Sequence, residues 1–299
     1  MKTISPYQLK GTLYVPGTKD GIFEIISGEK YSGLGSVVLD LEDSININDT
    51  NIALKNIKKS LKKREASNKE NENSPLIFIR PRNPILAKKI STDPEFNGIH
   101  GMVIPKLNLE NMQEWGNNLK NNNLYLMPTI ETDIAFDPSK LIRFCNELPI
   151  IFQNNPILAI RIGANDLLSL LGQRRNFHKT IYCSPLSYTI PMITGILCSK
   201  GFSVTAPVCE NIVDTELLKN ELEIDIDNGM IGKTIIHPNQ INIVNESFKI
   251  KKSDVETAQI ILDKNAPAVF KHDGSMQEIA THKAWAERTI ERSIWHGIK

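Results

Sequence analysis

Residues 124–131 read LYLMPTIE and residues 157–166 read ILAIRIGAND, two β-rich apolar runs that close on carboxylates, Glu131 in the first and Asp166 in the second. Neither run alternates cleanly between apolar and polar residues, which is the pattern of parallel strands buried on both faces. Outward from this pair, similar short runs lie at 12–15, 36–41, 76–81, 101–106, 203–208 and 233–237. With 124–130 and 157–163 they make eight. Segments with helical period or helix formers separate them at 50–64, 109–120, 139–147, 187–200 and 213–220. Repeated strand and helix without hairpin signals between them predicts a parallel sheet, and eight strands close a (β/α)8 TIM barrel. The alternative is a doubly wound open sheet, but LYVPGTKDG lacks the glycine spacing of a dinucleotide or phosphate loop.

The 299 residues fit one large α/β domain, read here as a barrel over 1–250, followed by a helical extension over 251–299. The extension carries one helical run, SDVETAQIILDKNA, a break at Pro267, and a second helix near 278–295. No independent core is visible in it, and Trp285 and Trp295 need cover from the barrel or a neighbouring subunit. The polar stretch ASNKENENS at 66–74 reads as a loop. Lys and Arg number 35 against 34 Asp and Glu, a formal charge of +1, which gives no footprint for nucleic acid or an anionic membrane. The lysine-rich run 55–64 reads as a solvated helix face. Cys145, Cys183, Cys198 and Cys209 have no metal spacing and are expected to be reduced. No run approaches a membrane span and MKTISPYQLK is not a signal peptide, so a cytoplasmic location is expected.

In a barrel the carboxyl ends of the strands share one face, where catalytic groups gather. Those ends carry Pro16 and Gly17, Asp40, Glu42 and Asp43, Arg80 and Arg82, Lys106, Glu131, Asp166, Cys209 and His237. Two carboxylates from adjacent strands suit Mg²⁺, which completes its octahedron with water and substrate oxygens, and Glu131 and Asp166 are the expected ligands. Asp166 alone could equally cap the helix that follows it. Arg80 can hold a carboxylate or enolate through two parallel hydrogen bonds. Strand register decides between it and Arg82. In the DLED run, Asp40 and Glu42 share one side and Asp43 the other while the chain stays extended. Their plain reading is a salt bridge to Arg80 or Lys106. Lys106 reads as a cationic partner of these acids before a Schiff-base lysine, and His237 as an acid or base or a hydrogen-bonded structural residue.

The runs YVPGTK, VVLDLED, IRPRNP, IPK, PTIET, IGANDL and GKTIIHPNQINIVNESF, in this order, resemble the citrate lyase β-subunit-like branch of the HpcH/HpaI aldolase family. The tail HDGSMQEIATHKAWAERTI resembles that of C–C bond lyase barrels associated with tellurium resistance. The resemblance implies a TIM barrel, a homo-oligomer built on trimers, and a lyase that makes or breaks a carbon–carbon bond beside a carbonyl. It implies Mg²⁺, with Mn²⁺ as the alternative ion, and a small carboxylic acid, 2-oxo acid or acyl-CoA thioester as substrate. By motif position Glu131 and Asp166 are the metal ligands and Arg80 the substrate arginine, while Glu42 falls in the DLED run. Glu42 and Asp43 are the candidate bases, and Arg82 and Lys106 further substrate-binding residues. A departure stands at each substrate-facing element. Lys10 is the nearest basic residue before LYVPG, where the family has LFVPG, and RPRN replaces RVN. TAPVCENIVD replaces an acidic run, and LGQRRNFHKTIYCSP is long and basic. Competing readings are thioester hydrolysis on the same site and a non-catalytic binding or scaffold role.

Overall fold

The eight apolar runs form eight strands because their side chains are covered on both faces: β2 and β4, for example, have every residue buried. A computed structural model describes residues 3–67, 74–120 and 123–299. In chain order its elements are β1 (Gly11–Pro16), α1 (Ile22–Ile26), β2 (Ser36–Asp40), α2 (Thr50–Ala66), β3 (Leu76–Arg80), α3 (Pro84–Thr92) and β4 (Gly101–Ile104). There follow α4 (Met112–Leu119), β5 (Tyr125–Ile130), α5 (Pro138–Ile151), β6 (Ile160–Ile162), α6 (Ala164–Leu170), α7 (Thr189–Ser199) and β7 (Val204–Thr205). The last are α8 (Thr215–Asp227), β8 (Lys233–Ile235), α9 (Gln240–Phe248), α10 (Lys252–Leu262), β9 (Val269–His272), β10 (Ser275–Glu278) and α11 (Ile279–His296). The predicted loop at 66–74 falls largely outside the described residues.

Strands β1 to β8 pair in parallel in the order β7-β6-β5-β4-β3-β2-β1-β8. A parallel bridge between Ala206 and Lys233 closes the ring, with Ala206 N–H donating to Gly232 O at 2.8 Å and Thr234 N–H to Ala206 O at 3.0 Å. The fold is therefore the (β/α)8 barrel that the pattern predicts. Its registers bring Pro16, Asp40 and Arg80 level at one end. Ile130 stands level with Ile162, which places Glu131 beside Gly163.

The barrel interior holds polar groups among its apolar side chains. Arg161, 1% exposed, donates to the hydroxyls of Thr12 at 3.3 Å and Thr234 at 2.5 Å, and Ser36 donates to Thr12 at 2.9 Å. A second buried polar group ties the long basic loop to the barrel. Lys233, on β8, donates to Glu221 at 3.0 Å and Asp225 at 2.6 Å, both on α8. From the loop, Arg175 pairs with Glu221 and donates to Val208 O, and the Tyr182 hydroxyl donates to Asp225 at 2.6 Å. Two cations thus meet two anions, with Glu221, Asp225 and Lys233 fully buried. Pairing is what makes such burial tolerable.

The chain divides into compact units at Met1–Val244 and Asn245–Lys299. The second unit has a small core of its own, contrary to the expectation: Ala258 and Ile261 of α10 meet Ala286 of α11, with Phe270 and Ile290 packed against them. It also holds a β9–β10 hairpin that was not anticipated. Asp273 and Gly274 both take positive φ, 46° and 76°, as a two-residue hairpin turn requires, and the Asp-Gly pair is its sequence signal.

Lys233→Met would leave Asp225 buried with only the Tyr182 hydroxyl and Glu221 with Arg175 and the Ile181 N–H. Loss of one partner from a buried ionic group costs about 3–5 kcal/mol. Denaturant unfolding is expected to show a loss of this size, and a loss below about 1 kcal/mol would refute a structural role for the network.

Candidate active site

Asp40 ends β2 and Arg80 ends β3, and their level register produces a two-pronged ion pair: Nε to Oδ1 at 2.6 Å and Nη2 to Oδ2 at 2.7 Å. Asp40 also accepts the backbone N–H groups of Glu42 and Ser44, each at 3.1 Å. These bonds fold DLEDS back on itself as soon as β2 ends. The alternation expected for DLED is lost there, and Asp43 comes round to the side of Glu42. Arg80 Nη1 lies 3.1 Å from Glu42 and 3.7 Å from Asp43, and Lys106 Nζ lies 2.6 Å and 3.2 Å from the same two carboxylates. Burial would push the Asp40 carboxyl up, but the hydrogen bond and charge of Arg80 prevail and hold it below its ordinary value. Burial lifts Glu42, with Arg80 opposing and neighbouring Asp43 adding to the rise.

Lys106 takes a left-handed conformation at the end of β4, φ 49°, a strained one for a side chain other than glycine. The turn has a use: Lys106 N–H donates to Glu131 Oε1 at 2.7 Å. Burial pulls the Lys106 ammonium down, but the hydrogen bond and charge of Glu42, with Asp43, raise it well above its ordinary value. A lysine so held is protonated at neutral pH and is a cation of the mouth, not a Schiff-base nucleophile.

Glu131, 5% exposed, follows β5 and leans over Gly163. A Cβ on Gly163 would stand 2.3 Å from Glu131 Oε2, so glycine leaves the space that this carboxylate fills. Asp166 lies in the first turn of α6, just beyond β6. Burial, then the charge of Asp166, push the Glu131 carboxyl up to about 7, against the Lys106 N–H and Arg80. Burial also raises Asp166. Among the described residues neither carboxylate has an ion pair within 4.0 Å, and no three His, Cys, Asp or Glu side chains gather as a metal group. Two neighbouring like charges, Glu131 buried and Asp166 half-buried, both shifted toward protonation, are a donor set that a divalent cation relieves, and Mg²⁺ requires only one or two protein carboxylates.

Not every strand-end residue joins this cluster. Arg82 donates through Nη2 to the carbonyls of Glu42 at 2.5 Å and Ile45 at 2.8 Å, which braces the β2 loop. His237 Nδ1 accepts Asn239 N–H at 3.2 Å at the start of α9, and Cys209 is buried. Lys10 precedes β1, at the opposite end of the strands from the mouth. Conversely, Tyr14 was missed because it sits inside the apolar run of β1. The Arg80 and Arg161 guanidinium groups lie over its ring, 5.2 and 5.4 Å from the centroid. Tyr14 also feels the charges of Glu131 and Asp40.

A closed parallel barrel with paired carboxylates, an arginine and a lysine at the carboxyl ends of its strands has the architecture of a barrel lyase. A family model for C–C bond lyases of the TIM-barrel fold matches residues 3–298, and the chain belongs to this family of carbon–carbon lyases. No curated protein matches significantly. Among solved structures it is similar to Mycobacterium tuberculosis CitE in complex with magnesium, acetoacetate and coenzyme A, at 18% identity and a TM-score of 0.66, over 95% of this chain and 97% of that one. A citrate lyase from Burkholderia xenovorans LB400 gives 13% identity and a TM-score of 0.73, over 99% and 96% of the two chains. Haloferax volcanii malate synthase, a magnesium/glyoxylate complex, gives 15% and 0.65, over 79% and 74%. At these identities the likeness is one of fold. Among the described residues no helix is long and apolar enough to cross a membrane.

The raised Glu131 carboxyl makes a signed prediction. Folded, metal-free protein holds this proton more tightly than the unfolded chain. The resulting penalty is absent below about pH 4.5, grows through the window to about 7, and is complete above it. Glu131→Gln keeps an acceptor for Lys106 N–H and removes the charge. In chelator-treated protein at pH 8 it is expected to raise unfolding free energy by up to about 3 kcal/mol, with the gain fading toward pH 5. Equal stability at pH 8 would show that the carboxylate carries no strain.

Proposed function

We propose that this protein is a Mg²⁺-dependent lyase that cleaves or forms a carbon–carbon bond next to the carbonyl of a small carboxylic acid, 2-oxo acid or acyl-CoA thioester. The observation that carries this reading is the strained Glu131–Asp166 pair with Arg80 at its side. The ligands of the similar structures, magnesium with acetoacetate and coenzyme A or with glyoxylate, support the substrate class. Glu131 and Asp166 would hold the ion, which when bound supplies positive charge to polarise a substrate carbonyl and orient an adjoining carboxylate.

The chain's own residues do the remainder. Asp40 fixes two edges of the Arg80 guanidinium, leaving Nη1, which faces Glu42 and Asp43, as the part able to turn to substrate. Arg80 then offers fixed positive charge to the oxygen on which negative charge develops as the bond breaks, commonly the largest catalytic effect. Lys106 adds a second cation and, through its backbone, sets the Glu131 rotamer. Of the candidate bases, Glu42 is the better placed: it is buried, and its carboxyl is lifted toward neutrality. Arg82 contributes to substrate binding through the loop it braces.

Titrated Mg²⁺ is expected to raise the melting temperature of the wild-type protein, and Glu131→Gln and Asp166→Asn to abolish the shift. Gly163→Ala should abolish it too with both ligands intact, because the added methyl occupies the place of the Glu131 carboxylate. Release of free coenzyme A from an acyl-CoA with its carbon skeleton uncleaved would favour thioester hydrolysis instead. A wild-type protein indifferent to Mg²⁺ would overturn the lyase reading.

A further inference from the structure

The barrel floor holds a cation without a counter-ion. Arg161 is 1% exposed, and its contacts are two threonine hydroxyls, the Met127 sulfur at 3.9 Å and the Tyr14 ring. Among the described residues it makes no ion pair. Opposite it in the β6–β7 register lies Thr205, fully buried, whose hydroxyl has no hydrogen-bond partner. A buried, unpaired guanidinium costs several kcal/mol of desolvation. Hydroxyl dipoles and the face of an aromatic ring offset only part of that.

Tyr14 is the group that could complete this charge. It lies on the inner face of β1, two residues above Thr12, and it keeps an exposed part. Among the described residues its hydroxyl makes no hydrogen bond. Buried tyrosines usually find a partner for that hydroxyl. Here two guanidinium groups lie over the ring while the O–H is left free. Burial keeps the hydroxyl protonated at neutral pH, and Arg161 and Arg80 oppose that rise. The phenol is thus held in the protonated form that a proton donor needs, and the two guanidinium groups over its ring are the charges a phenolate would meet.

The geometry points to Tyr14 as the catalytic acid of the lyase site, donating its proton to the enolate carbon, with Arg161 as the positioning residue that stabilises the phenolate from within the barrel. This inference rests on the lyase reading. In the step, the electron pair of the enolate forms a new C–H bond, the carbonyl is re-formed and the Tyr14 O–H bond breaks. The charge passes to the phenolate beside Arg80 and Arg161. A proton from solvent restores the phenol. No oxidant or further reactant is needed, and by microscopic reversibility the same phenolate removes a proton from the carbon acid in the reverse direction.

The test uses the full-length protein with Mg²⁺ in deuterated buffer, and follows hydrogen exchange at the methyl groups of pyruvate and acetyl-CoA by NMR. The wild type is expected to accelerate exchange at one of the two. Tyr14→Phe removes one oxygen and keeps the ring, and it should slow exchange at least 100-fold. The Mg²⁺ melting shift and the apparent affinity for the probe should stay within a factor of three. Arg161→Met should lower the exchange rate at constant probe affinity, and Arg161→Lys should recover part of it, a pattern that loss of packing alone does not produce. Exchange by Tyr14→Phe at the wild-type rate would overturn the assignment while leaving the lyase reading intact. A wild type that exchanges neither probe would overturn both.

Discussion

The like charges of Glu131 and Asp166, held close together beyond two neighbouring strands, are the constraint around which the mouth of this barrel is organised. Neither side chain has an ion-pair partner among the described residues. Several local features make sense only as means of holding them there. Lys106 accepts a left-handed backbone so that its N–H can reach Glu131, and Gly163 gives up a side chain so that Glu131 has room. Each costs stability in the folded chain, and strain of this kind concentrates at functional sites.

Around that pair the charges form two groups. Asp40, Glu42 and Asp43 surround Arg80 and Lys106 at the rim. Glu221 and Asp225 meet Lys233 and Arg175 between α8 and the loop after α6. The second group is balanced and buried, and it explains why the long basic loop can depart from the family pattern without leaving the barrel. Arg175, Ile181 and Tyr182 of the loop all bond to this group, and Phe177 O accepts from Asn211. The rim is different: its acids exceed its cations, and its arginine is only partly committed. The cation and anionic substrate proposed for this site would meet that imbalance.

The strands were legible in the sequence because parallel strands buried on both faces leave continuous apolar runs, and the barrel followed from their number. Strand-end residues were legible for the same reason: a run that stops at Glu131 or Arg80 shows where the chain reaches solvent. Residues inside the runs were not. Tyr14 reads as core and Arg161 as an interruption of ILAIRI, and only the closed ring shows that both face the lumen. The acids of α8 look like a solvated face, since i and i+4 carboxylates usually are, but Lys233 turns that face inward. The alternation of Asp40, Glu42 and Asp43 holds only in extended chain, and the N–H groups of Glu42 and Ser44, donating to Asp40, end that geometry where β2 ends. The choice of Arg80 over Arg82 needed register, which a one-residue shift reverses. The β9–β10 hairpin carries its own sequence signal in the Asp273–Gly274 pair.

The central claim is that the Glu131–Asp166 pair is a divalent-cation site that shares its ion with a carbonyl substrate held by Arg80. A crystal of the wild-type protein soaked with Mg²⁺ and a 2-oxo acid tests it most directly. The account predicts density for one ion touching oxygens of both carboxylates and of the acid, with Arg80 Nη1 turned from Glu42 toward the bound acid. A mouth that stays empty at saturating Mg²⁺, with Arg80 still on Glu42, would contradict it.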